Sequence, residues 1–68
     1  MNIKIKTPYI ELDSLLKYAN ICASGGEAKI VIKEGNVLLN GEVCTMRKKK
    51  IYAGDKVSIG ETEITVEG

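Results

Sequence analysis

Apolar and polar positions alternate at the start of the chain. Ile3 and Ile5 interleave with Lys4 and Lys6, a period of two that predicts a short half-buried strand with its lysines facing out. Thr7 and Pro8 interrupt it. The period then changes: Leu12, Leu15, Leu16 and Ala19 follow helical spacing, so a first helix is expected over roughly residues 11–19. Asp13 lies early and Lys17 late, as the helix dipole favours. Asn20 follows, a residue that tolerates the left-handed conformation found at helix ends. After the apolar link Ile21-Cys22-Ala23, Ser24 to Glu27 spells S-x-x-E, a capping box that opens a second helix. Ala28, Val31 and Ile32 supply its apolar stripe, and Gly35 its stop.

From Asn36 onward the pattern is that of strands. NVLLN leads into the turn dipeptide Asn40-Gly41, and EVCTM returns. Arg47 to Lys50 breaks the run with charge before Ile51 and Tyr52. Ala53-Gly54-Asp55 is a turn in which the Asp55 side chain is expected to bond locally. Residues 56–59 and 62–66 alternate as two further strands joined at Gly60-Glu61. The order β-α-α-β-β-β-β predicts an α+β fold, two packed helices on a small, strongly bent antiparallel sheet.

Sixty-eight residues suffice for one small domain. Such a domain buries only about 60% of its unfolded surface, so its core is thin. Trp and Phe are absent, which makes that core aliphatic. No apolar run is long enough to span a membrane. No hydrophobic signal segment precedes the first strand, which points to the cytoplasm. Cys22 and Cys44 form no CxxC and have no histidine beside them. They read as free thiols that pack as small apolar groups, and neither a structural metal nor a cofactor is expected. With no histidine there is no Ser-His-Asp set, and the carboxylates show no paired catalytic motif; an enzyme is not expected.

Net charge is only +1, but four cations run consecutively from Arg47 to Lys50. A near-neutral chain can still present one basic face. If this run is a strand, its side chains alternate between faces; if a loop, they need not. The plain alternative is a charged edge that blocks sheet-to-sheet aggregation. Lys29 and Lys33, four apart, share a helix face and read either as a solvated edge or as phosphate ligands. Gly25 and Gly26 sit where glycine costs a helix about 1 kcal/mol each relative to alanine. They remove the side chains that would hold a phosphate away from the unpaired first N–H groups of the helix. Against this, the capping box satisfies some of those donors and the Glu27 charge repels an anion. Tyr18 is expected to cover the core edge, and Tyr52 to face the core or its rim. With so few aromatics, backbone contact rather than base-by-base stacking would carry affinity.

Taken together, the stretch ELDSLLKYANICASGGEAKIVIKEGNVLLNGEVCTMRKKKIYAGDKVSI resembles the RNA-binding domain named after small-subunit ribosomal protein S-four, the αL motif. The resemblance covers about residues 11–59 of a single domain spanning 1–68. The extra terminal strands and the paired glycines are similar to the branch of small stand-alone bacterial proteins of the YaaA/YbcJ type. It implies an RNA-binding module with no catalytic function of its own; ribosomal or other structured RNA is the expected partner, and a monomer the expected state. The implied RNA face comprises Ser24, Gly25, Gly26, Lys29, Lys33, Arg47, Lys48, Lys49 and Lys50. Many family members carry an arginine directly after the serine; here that position is Gly25, so one phosphate-binding side chain of the family is absent. Two other readings compete: a ribosome-associated adaptor that uses an exposed strand edge, and a β-grasp sulfur carrier. The second is disfavoured because the chain ends Glu67-Gly68 rather than Gly-Gly.

Overall fold

A computed structural model describes residues 1–68. The leucine stripe forms α1, Leu12–Tyr18, and SGGE opens α2, Gly25–Lys33. Asn20 takes φ 60° after α1, and Gly35 takes φ 79° after α2. These are the left-handed positions that end each helix. The remaining residues form seven short strands: β1 Asn2–Lys4, β2 Ile10–Glu11, β3 Val37–Leu39, β4 Glu42–Val43, β5 Lys50–Ile51, β6 Lys56–Ile59 and β7 Thr62–Glu67.

Five strands make one sheet in the order β1-β7-β6-β3-β4, and β2 and β5 make a separate two-stranded ladder. The expected α+β class, with two helices packed on a sheet, is present, and the pairs β3–β4, β3–β6 and β6–β7 are antiparallel. The sheet is mixed rather than wholly antiparallel, because β1 runs parallel to β7. The chain's first strand lies alongside its last, with Ile3 opposite Val66.

Asn40, φ 50°, and Gly41, φ 88°, join β3 to β4. Positive φ at both central residues matches the twist of the flanking strands, which is why Asn-Gly works here. The EVCTM pattern predicts a return strand that reaches Met46, but β4 stops at Val43. Beyond it the chain turns toward α1. The N–H groups of Leu12 and Asp13, which have no intrahelical partner, donate to the carbonyls of Lys49 (2.9 Å) and Arg47 (3.0 Å). These two bonds draw the basic run off the sheet and onto the start of α1.

A single core unites the layers. Leu12, Leu15 and Leu16 of α1, Ala28 and Ile32 of α2, and Val37, Ile51, Val57, Ile64 and Val66 of the strands are buried together. Full burial of each leucine or isoleucine contributes roughly 1.5–3 kcal/mol. Cys22 belongs to this core and Cys44 lies half-buried against it. Tyr18 does not cover the core edge as expected: it is 65% exposed, because it falls outside the stripe that Leu12, Leu15, Leu16 and Ala19 complete. Tyr52 does not face the core either: it is exposed and packs on the Tyr9 ring. Asp55 closes its turn as anticipated, its Oδ2 accepting from the Tyr52 N–H at 2.8 Å. No helix is long and apolar enough to cross a membrane.

Candidate nucleic-acid interface

The first turn of α2 is built by Ser24. Its extended backbone (φ −146°) lets Oγ accept from the Glu27 N–H at 3.3 Å. Only half of the capping box forms, since the Glu27 carboxylate makes no return bond to Ser24. The N–H groups of Gly25 and Gly26 have no partner within the protein. Neither glycine is demanded by the fold: both have ordinary negative φ. A Cβ would meet nothing closer than 4.0 Å at Gly25 and 3.9 Å at Gly26. What the glycines leave is open space in front of unpaired main-chain donors.

That space has a cation beside it. The atom nearest to a Cβ at Gly25 is Lys17 Nζ, 4.0 Å away. The Lys17 ammonium, exposed at the end of α1, therefore lies against the positive end of α2. Sequence spacing assigns Lys17 only a dipole role. The link Ala19–Ala23 that folds α2 back beside it carries no local signal of that direction. Lys29 and Lys33, both exposed, continue from Gly25 at spacings of four and eight residues, one and two turns further along the same side of α2.

The basic run is a turn, not a strand, until Lys50. Lys49 N–H donates to the Met46 carbonyl at 3.0 Å, and all four cationic residues are exposed. They are not equivalent. Lys48 Nζ lies 3.1 Å from Asp13 Oδ2 and 3.5 Å from Glu11 Oε1. The Asp13 hydrogen bond, then the Asp13 and Glu11 charges, raise the Lys48 ammonium above its ordinary pKa. Asp13 is only 4% exposed, and its other oxygen accepts from the Ser14 N–H at 2.7 Å. Lys48 thus lies along the surface, its ammonium bridging Asp13 and Glu11 as the anchor of the turn, while Arg47 and Lys49 form no ion pair. Lys50 points elsewhere again, its Nζ 4.9 Å from the centre of the Tyr9 ring.

Helix α1 is the element that relates these groups. The basic turn is bonded to its first residues, and Lys17 stands at its last turn beside α2. Asp13, which holds Lys48, and Lys17 are four residues apart, so they lie on neighbouring positions of one side of the helix, separated by a rise of about 6 Å. The arrangement offers unpaired N–H groups and exposed cations, and no cluster of three or more His, Cys, Asp or Glu residues. Such groups are chemically suited to an anion.

Comparison with known proteins gives the family of this fold. A family model described as S4 domain matches residues 3–67. The chain is 43% identical over 61 residues to a protein of Escherichia coli (strain K12) named "Putative RNA-binding protein YbcJ", covering 90% of this chain and 87% of the relative. It is 44% identical over 57 residues to "Probable ribosome maturation protein RlbA" of Bacillus subtilis (strain 168), covering 84% and 80%. The solution structure of E. coli YbcJ, described as revealing an αL motif involved in RNA-binding, superposes with a TM-score of 0.76 at 38% identity, over 98% of this chain and 86% of that one. A match that runs from the first strand to the last, with the helix pair and the sheet in common, leaves one assignment: the chain belongs to the S4 domain family.

Proposed function

We propose that this protein binds structured RNA, ribosomal RNA first of all, by gripping phosphates along α1 and the start of α2. The observation that carries this reading is the placement of exposed, unpaired Arg47 and Lys49 on a turn that main-chain bonds fasten to the beginning of α1. At the other end of the same helix, Lys17 and the open Gly25 and Gly26 N–H groups supply a second anion position. Lys29 and Lys33 extend it along α2. Arginine can take a phosphate in a bidentate fork, whereas the lysines act as point charges. Lys48 serves as a positioning residue for the turn. Ser24 shapes the first turn of α2 through its cap, and Lys50 flanks the basic turn. The names of the E. coli and B. subtilis relatives, RNA-binding and ribosome maturation, point the same way. The module works by binding and carries no chemistry of its own.

An adaptor reading has one observation in its favour. Edge strand β4 and the segment after it expose Val43 and Met46 beside an open groove of about 500 Å³. A protein docked there would bind with little dependence on salt.

Charge reversal separates the two. Arg47→Glu combined with Lys49→Glu is expected to weaken binding of a ribosomal RNA fragment at moderate salt while circular dichroism stays unchanged. Undiminished binding in a folded double variant would remove the basic turn from the interface.

A further inference from the structure

The ladder of β2 and β5 pairs Ile10 with Ile51 and Glu11 with Lys50. Continuing that antiparallel register by one residue sets Tyr9 opposite Tyr52. Alternation sends Ile51 into the core, with Ile10 half-buried against it, and turns the tyrosines outward. Their ring centres lie 5.9 Å apart with planes inclined at 51°, and the rings remain open to solvent, Tyr9 at 38% and Tyr52 at 49% exposure. Lys50, diagonal to Tyr9 across the ladder, holds its ammonium 4.9 Å from the Tyr9 ring centre. Diagonal neighbours on a sheet face are within reach of long and aromatic side chains.

We propose that Tyr9, Tyr52 and Lys50 form a stacking site for a single unpaired nucleobase of the bound RNA. This rests on the RNA-binding function proposed above and names the class of RNA: one that offers an unpaired base in a loop or bulge, not a continuous duplex. Three features carry it. The site is continuous with the phosphate-binding turn, since Lys50 directly follows Lys49 and the Lys49 carbonyl is bonded to α1. It is preorganised: the Tyr52 N–H is fixed by Asp55 Oδ2 at 2.8 Å, Asp55 Oδ1 accepts from Asn40 Nδ2 at 3.1 Å, and the Tyr9 carbonyl accepts from Thr7 Oγ1 at 2.7 Å. Neither phenol hydroxyl has a partner in the protein, which leaves both free for a base edge or ribose. Tyr9 buttresses the Tyr52 ring, a base stacks on the open face, and Lys50 swings from the Tyr9 ring to the adjoining phosphate. Bases of a paired stem are already stacked on one another and cannot enter, while any unpaired base has a π face to offer.

Two fluorescein-labelled probes test this, a hairpin RNA with an unpaired loop and a blunt duplex of the same stem sequence. Tyr52→Leu and Tyr9→Leu, which keep apolar bulk and lose the aromatic face, are expected to weaken hairpin binding roughly tenfold. Duplex binding and the salt slope should stay unchanged. Tyr52→Phe should retain most of the hairpin affinity, and Tyr18→Ala, a lone exposed tyrosine, should have no effect. Equal losses on both probes, or no loss on the hairpin, would overturn the stacking site while leaving the phosphate contacts standing. If the unaltered protein binds neither probe, the RNA-binding function fails and the stacking site with it.

Discussion

The Lys48 ammonium reaches across 3.1 Å to the carboxylate of Asp13, a buried acid near the start of α1. One cation in a run of four is thereby engaged by a carboxylate while it stays exposed, and the turn it belongs to is fastened to the helix by side chain as well as by main chain. Arg47 and Lys49 are presented by this device.

Removing the acid should loosen the turn. Asp13→Ala deletes the acceptor for Lys48 and for the Ser14 N–H. Loss of the Ser14 bond is expected to cost about 0.5–1.5 kcal/mol in urea unfolding, the net scale of one hydrogen bond, with little added by the exposed Lys48. RNA affinity should fall as well, although Asp13 itself would repel phosphate. Removing a remote anion would instead strengthen binding, so a tighter-binding Asp13→Ala protein would contradict the anchoring role.

The same pair gives a signature at alkaline pH. Lys48 is raised above its ordinary value of 10.5 in the folded state, so the native protein holds this proton more tightly than the unfolded chain does. Its contribution to stability is complete below the ordinary lysine pKa and disappears as pH rises through the elevated one. Between pH about 9 and 12, the unaltered protein should therefore lose more stability than Lys48→Met. Parallel pH profiles would show that the ammonium gains nothing from Asp13.

Gly25 and Gly26 should trade stability against function. Each has room for a methyl group and an ordinary backbone, so Gly25→Ala and Gly26→Ala are expected to stabilise the domain by about 0.4–1 kcal/mol each. Both should bind RNA more weakly, because the methyl group stands in front of the free N–H groups. Thermal melts paired with titrations check this, and variants that gain stability with no loss of affinity would take the glycine turn out of the interface.

The cysteines should differ sharply in reactivity. Cys22 is buried, and burial, with a smaller effect from the Glu27 charge, pushes its thiol up. Cys44 is only half-buried. In native protein a thiol reagent should label Cys44 first and reach Cys22 on the timescale of core opening. Mass spectrometry of partly labelled protein reads the order directly, and equal rates would show that the core around Cys22 is open.

Much of this fold is legible in the sequence because its signals are local. The leucine stripe of α1, the Ser24 cap, the stops at Asn20 and Gly35, and the Asn40-Gly41 turn each depend on a few adjacent residues. What escapes depends on partners far along the chain. Nothing near Ile3 announces that β1 will lie parallel to Val66, and Ile10-Glu11 is too short to show a period of two. The basic run is visible as charge, yet its division into an anchor, two free cations and a ring-facing lysine follows from Asp13 and Tyr9, more than thirty residues upstream. Lys17 escapes as a candidate for the same reason: its nearness to Gly25 is set by the path of the link between the helices, which no composition encodes.

The most direct test of the account is the salt dependence of RNA binding for the unaltered protein and for Arg47→Ala, Lys49→Ala and Lys17→Ala. Removing one cation that neutralises a phosphate should make the slope of log K against log salt shallower by about one. Shallower slopes in all three variants are the predicted result. Slopes identical to that of the unaltered protein would mean that these cations do not touch the phosphate backbone, and the proposed interface would be wrong.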